Sequence, residues 1–135
     1  MKAIVCLVVA GAFVACAMAA ITDEQRDAAR QLAGQCMEQT GATEEDVKRL
    51  RSGETEGADR NSRCFVQCFL RGAGFVDQDG TVQTEELTEK LASEYGQEKA
   101  DELVARCRNN AGPDACERSF ALFQCYLDNR ATIMF

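Results

Sequence analysis

Residues 60–72 have the sequence RNSRCFVQCFLRG, in which Cys64 and Cys68 stand four positions apart. In a helix this spacing places both side chains on one face, on consecutive turns. A disulfide between them would constrain nothing and fits disulfide geometry badly. We therefore expect this helix to be joined to two different elements, one through each cysteine.

The chain begins with a segment typical of a secretory signal. Lys2 is its one charged residue, residues 3–13 are apolar, and small residues precede a cleavage site after Ala19. We expect residues 1–19 to be removed and residues 20–135 to form a single domain of a secreted, extracellular protein. A signal anchor is the minor alternative, since the apolar run is short for a membrane span.

The cysteine count is typical of an oxidised domain. Cys6 and Cys16 would leave with the signal, so six of the eight cysteines remain. Cys116 and Cys125 would lie on opposite sides of the last helix, about 13 Å apart along it and too far to bond. Excluding that bond and the Cys64–Cys68 bond leaves ten of fifteen pairings open. The six are Cys36, Cys64, Cys68, Cys107, Cys116 and Cys125.

The net charge excludes two classes of partner. The chain carries a net charge of −7, and without Lys2 it carries 14 basic and 22 acidic residues, a net charge of −8. Nucleic acids and anionic membranes repel such a surface. We therefore expect no nucleic acid partner and no membrane insertion, and a protein that is a monomer or a weak dimer.

The pattern of apolar residues after the signal is helical and predicts an all-α fold. Leu87, Leu91 and Tyr95 recur at every fourth position, and similar stripes run through the other segments. Thr22 with Gln25 and Thr43 with Asp46 resemble capping boxes, while Thr84 and Pro113 are placed to begin helices. No stretch alternates as a strand would. We predict six helices, near 22–39, 43–51, 60–71, 84–95, 97–110 and 113–129.

Residues 75–86 resemble a calcium-binding loop in part. With Gly80 at loop position 6, Asp77, Asp79 and Glu86 fall at ligating positions 3, 5 and 12. Phe75 then stands at position 1, where it cannot ligate. We interpret the segment as a polar turn before the fourth helix and expect no metal site.

Catalysis finds no support in the residue types present. The chain has no histidine, which removes the commonest general base. The six cysteines are expected to be bonded, which removes thiol nucleophiles and zinc ligands. We therefore expect a protein that is not an enzyme, with no catalytic residues and no cofactor.

The order C-x27-C-x3-C-x38-C-x8-C-x8-C, on six predicted helices, resembles the insect odorant-binding proteins, the family of pheromone-binding and general odorant-binding proteins. The resemblance spans the whole chain after the signal. It implies a compact helical domain around an internal apolar cavity that holds small hydrophobic ligands. It also implies three interlocked disulfides, namely Cys36–Cys68, Cys64–Cys116 and Cys107–Cys125.

Composition alone would favour an ordinary core formed by the apolar helix faces. The family resemblance implies instead that these faces line a ligand pocket. Tyr95 and Tyr126 are the candidates for orienting a polar head group, and Phe135 in the apolar C-terminal tail is the candidate lid. The predicted pocket residues are Val66, Leu70, Leu87, Leu91, Tyr95, Val104, Phe120, Phe123, Tyr126 and Phe135.

These observations predict a carrier that solubilises odorants, pheromones or similar molecules and transports them to chemosensory receptors. A carrier of the same fold in haemolymph, saliva or seminal fluid is the first alternative. A calcium-responsive interaction protein built on residues 77–86 is a distant one. Because histidine is absent, we expect ligand binding to depend weakly on pH above about pH 5.

Overall fold

A computed structural model of the chain describes residues 4–9, 13–18 and 23–129. From residue 23 to residue 129 the regular elements are all helices, with one isolated β-bridge between Val76 and Val82, which confirms the all-α prediction. The predicted bounds are wrong by more than one residue at two places: the fifth helix ends at Cys107, and the last begins at Ala115. The six helices are α1 (Asp23–Thr40), α2 (Glu44–Arg51), α3 (Arg60–Gly72), α4 (Thr84–Tyr95), α5 (Gln97–Cys107) and α6 (Ala115–Asp128).

A two-stranded hairpin precedes the helices and was not predicted. Strand β1 (Ile4–Val9) pairs antiparallel with β2 (Phe13–Met18), with Ile4 opposite Met18. β1 is rich in β-branched residues, and β2 begins with Phe13 and Val14, residue types that favour extended backbone. They lie inside residues 1–19, whose removal as a signal peptide stays a prediction.

Capping explains where two of the helices begin. The Thr43 hydroxyl accepts from the Asp46 amide at 3.1 Å and the Asp46 carboxylate accepts from the Thr43 amide at 2.9 Å, so the predicted capping box of α2 is confirmed. The prediction that Pro113 stands in the first turn of α6 is wrong. Asp114 is the N-cap, because its carboxylate accepts from the Glu117 amide at 3.0 Å and a proline side chain cannot do this.

Two further start signals have different outcomes. The prediction that Thr84 caps α4 is wrong. Gln83 is the N-cap and makes no side-chain hydrogen bond to the helix, and the Thr84 carbonyl accepts from the Thr88 hydroxyl. The predicted box of Thr22 with Gln25 lies partly outside the described residues.

Helix α3 is joined to two helices by disulfides. Cys68 is bonded to Cys36 on α1, and Cys64 is bonded to Cys116 at the start of α6. The third bond, Cys107–Cys125, joins α5 to α6. The pairing is the one that the family resemblance implies, and it holds α6 on two sides.

The core lies between α3 and the helices around it. Phe65, Val66 and Leu70 on α3 are fully buried, and they belong to one apolar cluster with residues of α4, α5 and α6. Because α3 also carries Cys64 and Cys68, its two disulfides fix this buried face in position relative to both α1 and α6.

The loop between α3 and α4 is tied to α6 by polar side chains. The Arg118 guanidinium donates to the Asp79 carbonyl, with the Nε–O distance at 2.9 Å, and to the Gly112 carbonyl at 3.1 Å. Asn110 donates to the Gly80 carbonyl at 2.9 Å. These bonds attach the loop to α6 and to the segment that precedes α6.

Gly80 is required at its position, and we predict a larger loss of stability from Gly80→Ala than from Gly74→Ala. Both glycines have positive φ, of 79° and 85°, which costs a residue with a side chain about 1–2 kcal/mol. A Cβ at Gly80 would also stand 2.8 Å from the Ala115 carbonyl oxygen, whereas one at Gly74 would meet nothing within 4 Å. Urea unfolding of the oxidised variants measures both losses, and equal losses would contradict the contact with α6.

Candidate ligand-binding site

The predicted pocket residues on four helices come together. Two of them lie on α3, two on α4, one on α5 and three on α6, and all eight belong to the apolar cluster. None is more than 8% exposed. They are Val66, Leu70, Leu87, Leu91, Val104, Phe120, Phe123 and Tyr126.

The other two predicted residues are not part of this cluster as described. Tyr95 ends α4 and is 37% exposed, although it continues the stripe of Leu87 and Leu91. The stripe leaves the core there because the helix ends and the chain turns at Gly96, which has a positive φ of 88°. Phe135, the predicted lid, lies outside the described residues.

Other residues of the cluster were left out of the predicted pocket, and three of these are large apolar side chains from α3, α5 and α6. Phe65, Leu103 and Leu122 are at most 1% exposed. Phe65 stacks on Phe69 with 6.3 Å between the ring centroids. Helical periodicity contained the signal for Phe65, which repeats with Phe69 on the same face, but periodicity cannot separate a pocket wall from an ordinary core.

The Tyr126 hydroxyl is the distinctive polar group of the cluster. The residue is fully buried, and its oxygen has no hydrogen-bond partner. Among the side chains in the described part of the chain, it is the one buried nitrogen or oxygen left without a partner. An unsatisfied buried hydroxyl costs about 1–3 kcal/mol. Burial also raises the pKa of the hydroxyl, so the group stays protonated and can donate a hydrogen bond.

The other buried polar residues nearby are satisfied. The Ser119 hydroxyl donates to the Gln67 side-chain oxygen, and the Gln67 amide donates to the Asp77 carbonyl at 3.3 Å. These bonds link α6 to α3 and to the loop after it. Tyr126 is thus an exception in a core whose other polar groups have partners.

The interior described here carries no charge. Its buried polar residues are Ser62, Gln67 and Ser119, and no buried Asp, Glu, Lys or Arg occurs in residues 23–129. Arg63 approaches from the edge, with its guanidinium 4.9 Å from the centroid of the Phe120 ring and paired to Glu117. A buried charge without a partner is costly, so this interior suits an uncharged molecule.

The acidic loop gives no support to a calcium site. The Asp77 carboxylate accepts from the amides of Asp79 and Thr81, each at 2.9 Å, and so stabilises its own turn. Within the described ranges, no three acidic, cysteine or histidine side chains come together in a group that could hold a metal ion.

A model of the PBP/GOBP family matches residues 18–129. The chain belongs to this family. The matched residues include all six helices, and the family is the one that the cysteine order resembles.

Individual relatives agree with this assignment. General odorant-binding protein 56a of Drosophila melanogaster is 31% identical over 106 residues, covering 78% of this chain and 76% of the relative. General odorant-binding protein 19d of the same organism is 34% identical over 106 residues, covering 74% and 70%. Among solved structures, the fatty acid binding protein OBP56a from the oral disk of the blowfly Phormia regina superimposes with a TM-score of 0.71 and 29% identity, covering 82% of this chain and 95% of that one.

The helices of residues 23–129 differ from a membrane span in length or in apolar character. In the part of the chain that the structure describes, none is both long and apolar enough to cross a bilayer.

Tyr126→Phe should raise the stability of this protein in the absence of added ligand. The substitution removes an unpaired buried hydroxyl and keeps the ring, so we expect the free energy of unfolding to rise by about 1 kcal/mol. Ser119→Ala removes a bonded hydroxyl from the same helix and should lower it. Urea unfolding at neutral pH compares the two, and a loss of stability in Tyr126→Phe would mean that the hydroxyl has a partner.

Proposed function

We propose that this protein is a secreted carrier that binds a small, apolar, oxygen-bearing molecule around Tyr126 and delivers it to chemosensory receptors. The observation that supports this most is the unpaired Tyr126 hydroxyl inside an uncharged apolar cluster. The ligand would enter between the side chains of Val66, Leu91 and Phe123 and present an oxygen to that hydroxyl. Odorants and pheromone-like alcohols, ketones and esters have this chemistry.

The energetics favour such a ligand in two ways. Burying its hydrocarbon part contributes about 25 cal/mol per Å² of apolar surface. A ligand oxygen that accepts from Tyr126 also removes the cost of leaving the hydroxyl unsatisfied, and the net gain per hydrogen bond is about 0.5–1.5 kcal/mol. The first term holds any apolar molecule, and the second selects those with an acceptor.

The known relatives support a carrier of hydrophobic molecules. The blowfly protein that superimposes on this chain is described as a fatty acid binding protein. Fatty acids and odorants share an apolar chain, so this relative supports the binding of hydrophobic molecules by the fold, whereas the uncharged interior of this chain suits a neutral oxygen-bearing ligand. Secretion and release to a receptor are parts of the proposal that depend on residues 1–19 acting as a signal.

Displacement of a fluorescent apolar probe, N-phenylnaphthylamine, by dodecanol and by dodecane tests the proposal. We expect Tyr126→Phe to weaken the binding of dodecanol by roughly two- to tenfold and to leave that of dodecane unchanged, since one hydrogen bond is lost. Tyr95→Phe is the matched control, because it removes the other tyrosine hydroxyl at the surface. If no probe binds the oxidised protein, or if both variants behave alike, the proposal fails.

Ligand affinity should change by less than about twofold between pH 7 and pH 5.5. No histidine occurs in the sequence. Asp59 is the N-cap of α3, and a hydrogen bond from the Ser62 amide lowers the pKa of its carboxyl below the ordinary 3.8. A bond from the Glu117 amide lowers the pKa of Asp114 in the same way, so both carboxylates stay ionised through that range. The same displacement assay in buffers of constant ionic strength measures the effect, and a steep loss of affinity by pH 5.5 would reveal an acid-triggered release.

A further inference from the structure

A second apolar surface lies outside the cluster. A cleft of about 530 Å³ opens between α1 and the far end of α3, a volume within the range of small-molecule sites. The floor of the cleft includes Phe69 and Phe75. These side chains are only 3% and 8% exposed and also pack in the core. The apolar wall consists of Ala28, Ala29, Leu32, Phe69, Ala73 and Phe75.

The two walls of the cleft meet at a close helix contact. A Cβ at Gly72 would overlap the Leu32 side chain, so the glycine lets α1 approach the end of α3. The Cys36–Cys68 disulfide joins the same two helices further along. The shape of the cleft is therefore set by the frame of the fold.

One cationic side chain faces this apolar wall. Lys90 of α4 lines the cleft, and no acidic residue does. The lysine is paired with Glu94 on its own helix, with 3.1 Å between Nζ and Oε1, and its side chain is 41% exposed. A partly exposed pair at i and i+4 contributes little to stability, so a ligand anion can replace Glu94 at small cost.

We propose that this cleft is a second binding site, specific for the carboxylate form of an amphiphile. The hydrocarbon chain would lie along the wall formed by Leu32 and Phe69, and the carboxylate would pair with Lys90. This goes beyond the proposed carrier function, because the interior around Tyr126 has no cation and would exclude an ionised carboxylate. The protein would then sort ligands by charge, with neutral molecules inside and anions in the cleft.

Titration with sodium dodecanoate and with methyl dodecanoate at pH 8 tests the site, because the two ligands differ in charge and share their chain. Backbone amide shifts in NMR spectra of the oxidised protein give both location and affinity. We expect dodecanoate to shift the amides of Leu32, Phe69 and Ala73, and methyl dodecanoate to shift those around Tyr126.

Charge variants separate the ion pair from general electrostatics. Lys90→Gln should weaken dodecanoate binding by about two- to fivefold and leave methyl dodecanoate unchanged, and Glu94→Gln should strengthen dodecanoate binding by a similar factor. Lys99→Gln is the matched control, because Lys99 lies on α5 and does not line the cleft. Ala28→Trp, which fills the mouth of the cleft from an exposed position, should weaken dodecanoate binding without a change of charge.

Several outcomes would overturn the site. It fails if dodecanoate does not bind, if it shifts amides around Tyr126 instead of the cleft, or if Lys99→Gln weakens it as much as Lys90→Gln does. It also fails if dodecanoate binds only after residues 131–135 are removed, since the chain's own tail would then be the occupant. Binding of methyl dodecanoate is read separately and tests the carrier function around Tyr126.

Discussion

The attachment of α3 to two helices at once is the constraint on which the rest of the structure depends. Cys64 and Cys68 face the same way from consecutive turns, and one reaches α6 while the other reaches α1. The third disulfide then fixes α5 to α6. In the chain-entropy model each of these closures contributes about 3–4 kcal/mol by restricting the unfolded chain. Much of the stability therefore comes from cross-links and does not depend on a perfectly satisfied interior.

This stability makes an unsatisfied group in the core tolerable. Gln67 and Ser119 bond to each other and join α3 to α6, as buried polar groups do in most proteins. Tyr126, seven residues further along α6, has no such partner. A hydroxyl in this position lowers the stability of the fold, and in the proposed function it is the group that a ligand oxygen would bind.

Spacing along the helices excluded two of the possible disulfides and left ten pairings open, and the full pairing was predicted only from the resemblance of the cysteine order to a known family. Helix positions followed from the apolar period, and the boundary errors lie at the end of α5 and at the start of α6, where the N-cap bond of Asp114 determines the first residue of the helix. The hairpin of β1 and β2 was missed because an apolar run of that length suits a secretory signal as well as strands.

The candidate site was predictable only in part. Eight of the predicted pocket residues lie on buried helix faces. Periodicity could not distinguish the two tyrosines, because Tyr126 is fully buried whereas Tyr95 lies at the exposed end of α4. The hydrogen bond from Arg118 to the Asp79 carbonyl and the cleft beside Lys90 depend on how segments that are distant in sequence meet. No local sequence pattern encodes such contacts.

The central claim is that a small molecule is held inside the protein against Tyr126, and intermolecular nuclear Overhauser effects test it most directly. Carbon-13-labelled protein with unlabelled dodecanol would give contacts between the ligand and the side chains of Tyr126, Phe123 and Leu91 if the account is correct. Contacts confined to surface residues, or none to the Tyr126 ring when the ligand is bound, would contradict it.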